Sequence, residues 1–405
     1  LVLRELLVAT IAQGGVEMFA TRMGRLGTET AFVVLARAKE LEAQGRDIVH
    51  LEIGEPDFDT PSFIVEAAAQ ALRAGETHYG PAAGKPEVRQ VFADHIARTR
   101  GVDMGRDNVV ITPGGKPIMY FLMTALLNEG DEAIYPNPGF PIYESVINFL
   151  GAKPVPLKLA EEKDFTFDVK DLEALITPRT KLLILNSPQN PTGSVLESAD
   201  LDAIAALAVK HDLFVMSDEI YSRILYTGTH DSIITRPGML ERTCILEGHS
   251  KTYAMTGWRL GYGVMPKELA AAVAKLQTNV NSCTASFTQV AGAAALTGPQ
   301  DEVEAMVAEF KARRDLLVGG LNAIDGVSCR EPKGAFYVFP NVSGLGRRSS
   351  ELEKLLLDEY GVAALSGTAF GACGEGYLRF SYANSQDQIR KALERVERMA
   401  RDLRG

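Results

Sequence analysis

The sequence predicts an α/β chain, with a mostly parallel sheet covered by helices on both faces and a second, smaller α+β lobe. Three observations carry this. Between residues 109 and 246 the order strand, turn, helix recurs, and such alternation closes a parallel sheet through helical crossovers. Residues 181–185 are almost wholly apolar, as a strand buried on both faces should be. After about Gly298 the texture changes to a long charged helix and then a set of short strands.

Residues 30–44 place Phe32, Val33, Leu35, Ala36 and Leu41 at helical spacing and stop at Gly45, which predicts a helix. A strand over 48–53 leads into Gly54-Glu55-Pro56-Asp57, a glycine turn with a proline stop, and a helix runs from Pro61 and Ser62 to about Ala74. The loop THYGPAAGKPEVR is rich in turn formers and carries Tyr79; a helix over 86–100 follows. Strands are expected at 109–112 and 132–135, with helices at 118–127 and near 143–149. The apolar strand 181–185 ends in the proline-rich loop NSPQNPTG. A helix over 198–210 and a strand over 213–216 come next, with Asp218 just past the strand's carboxyl end. A strand over 243–246 enters GHSKTYAMTGWRLGYG. The small lobe reads as a helix over 301–322, antiparallel strands at 335–339, 362–365 and 377–382, and an amphipathic helix over 385–401. Residues 61–300 thus form the large domain and 301–405 the small one, which the segment 18–60 is expected to join.

Asp plus Glu (52) exceed Lys plus Arg (42) among 405 residues, a net charge of -10, and that balance argues against a nucleic-acid partner. No stretch approaches the roughly 20 apolar residues of a membrane span. Residues 1–17 are apolar, but Arg4 and Glu5 interrupt them and they lack a basic start. They read as an upstream extension, with Met18 opening a more conventional beginning. The four cysteines, Cys244, Cys283, Cys329 and Cys373, have no metal-type spacing and suit free thiols in a reducing cytoplasm.

The chemistry gathers at loops beyond the carboxyl ends of the predicted strands, where open parallel sheets bind ligands. Lys251 sits among small and hydroxylic residues in a nearly uncharged stretch, and a partly desolvated lysine becomes a nucleophile able to form an imine. Arg259, eight positions on, offers a fork of donors that suits a phosphate. Gly114 and Gly115 open a helix, whose free N–H groups and dipole favour the same anion. Phe140 can stack on a ring, Asn190 and Asp218 follow buried strands, and Tyr221 lies three residues further on. Taken singly, a Gly-Gly turn is more often only a turn and a strand-end aspartate often only a helix cap. Together they describe a pocket for a phosphorylated aromatic aldehyde.

Eight segments then carry a resemblance: GEPDFDTP (54–61), THYGPAAGKPEVR (77–89), TPGGK (112–116), NPGFPIY (137–143), NSPQNPTG (186–193), SDEIY (217–221), SKTYAMTGWRLGY (250–262) and LRFSYANS (378–385). In this order, and over essentially everything after Met18, the chain resembles the fold-type I, pyridoxal-phosphate-dependent aminotransferases of class I/II, the aspartate-aminotransferase-like family. The resemblance implies a large cofactor domain with a seven-stranded-type sheet. It implies that Lys251 holds pyridoxal 5'-phosphate as an imine, that Asp218 pairs with the pyridine nitrogen, and that Asn190 and Tyr221 bond the phenolic oxygen. It implies further that Phe140 stacks on the ring and that Gly114, Gly115, Lys116, Ser250 and Arg259 lie on the phosphate side. Tyr79 is expected to reach the phosphate of a neighbouring subunit, so that the enzyme is a homodimer with shared active sites. Arg379, helped by the backbone at Gly54, is expected to clamp the substrate α-carboxylate, with Asn190 nearby. The implied reaction moves an amino group from an L-amino acid to 2-oxoglutarate by a ping-pong course. The rival reactions are a carbon–sulfur lyase of the same fold, or an aminotransferase for alanine or aromatic donors.

Two positions depart from the family pattern. Gly248 stands where many relatives carry a phosphate-binding serine, and Lys85 where many carry an aliphatic residue. For the donor, Lys116 is the candidate reader of a distal carboxylate, which favours aspartate. Glu29, in the segment expected to cross the pocket mouth, opposes an acidic side chain unless it pairs with Lys116. Phe19, Phe32 and Phe140 are candidates for an apolar or aromatic pocket wall.

Overall fold

The computed structural model describes residues 18–404, so the expectation for residues 1–17 lies outside the described residues. Twelve strands are arranged in three sheets among these residues. They are β1 (Val49–His50), β2 (Val109–Thr112), β3 (Glu132–Asn137), β4 (Lys153–Lys158), β5 (Thr180–Asn186), β6 (Phe214–Asp218), β7 (Thr243–Gly248), β8 (Gly261–Val264), β9 (Tyr337–Val338), β10 (Val362–Ala363), β11 (Leu365–Ser366) and β12 (Leu378–Ser381).

The large sheet has seven strands in the order β2-β8-β7-β6-β5-β3-β4. All neighbours run parallel except β8, which is antiparallel to both β7 and β2. Alternate residues of one strand feed different cores: Leu182 and Ile184 pack with Ile118, Leu122 and Met216, whereas Leu183 and Leu185 pack with Leu201, Ile204 and Val215. That two-sided burial is why residues 181–185 are apolar at every position but the first; each such side chain contributes about 1.5–3 kcal/mol.

Two strands of this sheet have no counterpart in the expected elements. β4, of sequence KPVPLK, alternates between exposed and buried residues on the sheet edge, where Pro154 and Pro156 can face away from the ladder. β8, GYGV, carries glycines because its neighbours come so close: a Cβ on Gly261 would press on the backbone of Gly114 and Gly115, and one on Gly263 would meet Met265 and Ile118. Further helices, Val169–Leu175, Lys267–Val280 and Ser286–Thr297, also go beyond the expected set. The last buries Ser286, Thr288, Gln289 and Gly292 beside its apolar residues, so it has no clean polar face to read.

The C-terminal strands correct one expectation. Residues 362–365 do not join a single antiparallel set. β10 pairs in parallel with β1, while β11 pairs antiparallel with β12, which in turn pairs antiparallel with β9. The fully buried Ala364 marks the change of partner. Leu51 bridges the two small sheets, donating to Ala363 O (3.0 Å) and accepting from Ser381 N (2.8 Å). The expected strand over 48–53 is therefore short as a ladder, but its backbone bonds carry on to the edge of the cavity. Helices Asp301–Asn322 and Gln386–Asp402 cover these sheets, and Phe310, Phe336, Leu378, Tyr382, Ile389 and Val396 belong to one core. All four cysteines are free thiols, and among the described residues no helix is long and apolar enough to cross a membrane.

Candidate active site

β7 ends at Gly248, where a Cβ would press on Ile220 Cδ1 at 2.8 Å, so the glycine is set by the close approach of the Asp218–Tyr221 loop. A serine at that position would need the tip of the Ile220 side chain to shift, and nothing else in the structure explains the first departure from the family pattern. The chain then turns into a short helix, His249–Thr252, pinned by His249 Nε2 on Gly292 O (3.1 Å). This turn aims Lys251 into a cavity of about 460 Å³ beyond the carboxyl ends of the strands. Its ammonium donates to Gly54 O and lies 5.8 Å from the Phe336 ring centroid. Burial lowers the Lys251 pKa to about 8, outweighing the opposing pull of Glu55 and aided by Arg379. Gly54 lets the Tyr337 hydroxyl come up beside this contact, since a Cβ there would run into it.

Asp218 is the last residue of β6 rather than a residue past it, and it is buried. Burial raises its pKa to about 6, against hydrogen bonds from the Tyr143 hydroxyl (2.5 Å) and Ile220 N (3.3 Å). Asn186, at the end of β5, donates to Asp218 O (3.0 Å) and accepts from Asn190 N (2.9 Å), so the two strand ends fix each other. Tyr221 shares a hydrogen bond with Tyr337 at 2.7 Å. Arg379, on β12, donates to Glu52 O and to Asn190 Oδ1 (3.4 Å), with its guanidinium 4.6 Å and 4.9 Å from the Tyr337 and Phe370 ring centroids. Its Nε is buried without a hydrogen-bond partner.

β2 leads to Gly114, at φ 86°, and to Gly115, the residue that precedes helix Lys116–Leu126. Arg259 takes the left-handed conformation (φ 53°), donates to Thr256 O at 2.8 Å, and lays its guanidinium where a Gly114 side chain would stand. A non-glycine residue in that conformation is strained, and such strain gathers at functional sites. Phe140 forms one wall, edge-on to Tyr143 (5.7 Å) and 5.6 Å from the Lys116 ammonium. Lys116 is ion-paired with Glu29, which reaches in from the N-terminal segment.

Gly54, Gly115, Lys116, Phe140, Asn190, Asp218, Tyr221, Ser250, Lys251, Arg259 and Arg379 thus line one cavity, with Gly114 against Arg259 at its edge. Tyr79 does not join them: it is 91% exposed in a separate loop. Lys85, in that loop, pairs with Glu76 and Glu87, and its backbone N–H bonds Gln289 Oε1 (2.8 Å); its charge ties the loop down. Phe32 lines the cavity, but Phe19 does not; it is exposed. Sequence reasoning gave no role to Tyr143, Asn186, Tyr337 or Phe370. The first two lie inside the segments NPGFPIY and NSPQNPTG, which was the signal available for them, whereas Tyr337 and Phe370 carried none.

The sequence profile of the aminotransferase class I and II family matches residues 46–396. The chain belongs to the class I and II aminotransferases. It is 40% identical over 367 residues to an aspartate aminotransferase of Pyrococcus abyssi, covering 90% of this chain and 94% of that one. It is likewise 40% identical over 365 residues to aromatic-amino-acid aminotransferase 2 of Thermococcus litoralis, covering 89% and 94%. The solved aspartate aminotransferase of Thermus thermophilus with maleate superimposes with a TM-score of 0.91 at 39% identity, covering 95% of this chain and 100% of that one. Aminotransferases of this class depend on pyridoxal 5'-phosphate. The cavity fits such a group: Gly114, lacking a side chain, lets the Arg259 guanidinium lie against a helix start suited to a phosphate, and Arg379 keeps an unpartnered buried N–H for an anion.

Proposed function

We propose that this aminotransferase moves the amino group of aspartate to 2-oxoglutarate in the cavity around Lys251, by a ping-pong course. Bound there, pyridoxal phosphate supplies a carbonyl that takes up the amino group and a ring that accepts the electron pair left at the substrate Cα. Lys251 holds the cofactor. Asp218 keeps a proton at the ring nitrogen, Asn190 and Tyr221 serve the phenolic oxygen, and Phe140 covers the ring. Gly114, Gly115 and the Lys116 backbone at the helix start serve the phosphate end with Ser250 and Arg259, which leaves the Lys116 ammonium free of the cofactor. Arg379 orients the substrate α-carboxylate, with the Gly54 backbone and Asn190 beside it. Lys251, once freed, would take the proton from the substrate Cα and deliver it to the carbon that was the cofactor's carbonyl, a task its lowered pKa suits.

The observation that carries the dicarboxylate reading is Lys116: its ammonium lines the cavity while Lys251, Arg259 and Arg379 each have another task. The aspartate aminotransferase of Pyrococcus abyssi supports the same donor. Turnover of aspartate, alanine and phenylalanine on wild type and Lys116→Ala tests it. Loss of one charge-assisted hydrogen bond should lower kcat/KM for aspartate roughly 10- to 100-fold and leave phenylalanine nearly untouched. Aspartate and phenylalanine equally unaffected would remove Lys116 from the reading. A second reading, an aromatic donor, is favoured by Phe32 and Phe140 in the wall, and phenylalanine outpacing aspartate on wild type would select it.

Residues 61–300 and the pair 18–60 with 301–405 are proposed as two lobes that meet at the cavity. The proposed active form is a homodimer in which Tyr79 completes the neighbour's phosphate site; its exposure supports this. A reducing cytoplasm is the proposed setting, supported by four free thiols.

A further inference from the structure

The cavity wall carries three carboxylates, Glu29, Glu55 and Asp218, and four cations, Lys116, Lys251, Arg259 and Arg379. Asp218 is committed to the Tyr143 hydroxyl and Ile220 N, and Glu55 accepts from the Thr256 hydroxyl. Glu29 alone pairs with Lys116, the cation proposed to read a distal carboxylate. The two side chains differ in setting: Glu29 is 18% exposed and Lys116 48%.

The backbone that carries Glu29 is weakly anchored. Residues 18–28 are exposed throughout, the 3-10 turn Thr21–Arg25 buries nothing, and the next buried residue is Val34. The turn packs on helix Ile142–Phe149 through Arg22 over Phe149, with Arg25 near Gly151 and Gly27 N on Ser145 Oγ (2.9 Å), all contacts at the surface of the large lobe. A ping-pong enzyme receives two substrates in one cavity in turn. Aspartate and 2-oxoglutarate both carry a distal carboxylate; when an alanine or aromatic donor or its keto acid enters instead, Lys116 would stand unpaired beside an uncharged side chain. At this half-exposed position an unpaired charge costs at most about 1 kcal/mol, and Glu29 offsets that cost. A substrate carboxylate arriving at Lys116 meets Glu29 already there, and two carboxylates on one ammonium repel each other.

We propose that Glu29 is a displaceable counter-ion for Lys116: it stays paired over uncharged side chains, swings out for dicarboxylates, and so sets the enzyme's preference between them. The proposal rests on the reading of Lys116 above and names the residue that tunes it. The weakly held segment 18–28 is the part of the chain able to follow Glu29 outward. Apolar neighbours Phe32, Met119 and Phe140 give the uncharged side chain a surface when the pair is intact.

The test is equilibrium binding of succinate and butyrate to holoenzyme, followed by visible absorbance, with half-reaction rates for 2-oxoglutarate and pyruvate alongside. Removing a like charge at a partly exposed position is worth about fivefold in affinity. Glu29→Gln should therefore tighten succinate about fivefold, leave butyrate no tighter, and lower KM for 2-oxoglutarate more than it changes kcat. Glu29→Asp, which keeps the charge, should hold the wild-type ratio. An unchanged succinate-to-butyrate ratio in Glu29→Gln overturns the proposal, as does an equal shift of both ligands, the mark of a merely structural residue. Lys116→Met separates the two readings. If it abolishes succinate preference while Glu29→Gln does nothing, the counter-ion role falls and the Lys116 role stands; if it leaves the preference intact, both fall.

Discussion

Lys251 combines two properties at one atom: a carbonyl acceptor at Gly54 and a burial that brings its pKa to about 8. Its ordinary value lies well above the working range, so an exposed lysine would be charged and inert at neutral pH. The direction of the shift fixes a pH dependence. Below about 8 the amine is protonated and cannot attack; above it the free amine dominates. Apoenzyme should thus capture added pyridoxal phosphate faster as pH rises, half-maximally near 8, with the imine absorbance as readout. A midpoint near 10 would mean that the lysine is not desolvated, and Lys251→Ala should give no imine band at any pH.

The ends of β6 and β7 are joined by a buried ionic cluster that neither strand could hold alone. Arg100, the last residue of helix Pro86–Arg100, donates to Glu219 (2.8 Å) and Glu247 (2.6 Å). His230 Nε2 lies 2.8 Å from Glu219, and the Ser222 hydroxyl donates to Glu247. Burial raises the Glu219 pKa, but His230 and Arg100 outweigh it and hold the carboxyl at about 2. These carboxylates flank Asp218 and the entry to Lys251 in sequence, so the cluster sets the spacing of the two. Arg100→Ala should cost about 3–5 kcal/mol in urea unfolding, because it strands buried carboxylates. Arg100→Lys should recover only part of this, lacking the fork that reaches both partners. On β1, His50 bonds Glu52 Oε1 (2.8 Å) and Glu42 (3.1 Å), and the hydrogen bond to Glu52 raises its pKa to about 9 against opposing burial. A pKa raised above the unfolded value gives stability that is complete below about 6.5 and lost as pH climbs through 9. Between pH 6 and 9.5 the urea midpoint of wild type should therefore fall more than that of His50→Gln; equal falls would show that the pair adds nothing.

At the scale of the whole molecule the cavity is built from both ends of the chain. Glu29 and Gly54 come from before the large sheet, Lys251 and Asp218 from within it, and Tyr337, Phe370 and Arg379 from after it. Arg379 holds Glu52 O, and Leu51 bonds both small sheets, so residues 51 and 52 are tied to the C-terminal strands beside the cavity. Tyr79 is the expected site residue that lies outside the cavity, 91% exposed in a loop of its own. Mixing inactive Tyr79→Ala with inactive Lys251→Ala chains should restore part of the activity after subunit exchange, because one site in each mixed dimer is whole. No recovery after verified exchange would put Tyr79 outside the site.

Residues whose function requires a fixed chemical type beside a turn were legible in the sequence alone. Lys251, Asp218, Asn190 and Gly115 sit in short segments where strand ends, glycines and prolines leave few other readings; the alternation predicted a mostly parallel α/β sheet, while its seven strands were what the family resemblance implied. Tertiary structure decided what depends on contact between distant segments. β4 and β8 are strands because of their neighbours: prolines mask one at an edge, and glycines demanded by close packing mask the other. Residues 362–365 divide between two sheets because β1 and β12 compete for them, a contest no local pattern records. Tyr143 under Asp218, Tyr337 against Tyr221, and Glu29 on Lys116 are pairs separated by 75 residues or more. Their chemistry arises only when folding removes water from between them, and periodicity in one segment carries no trace of the other.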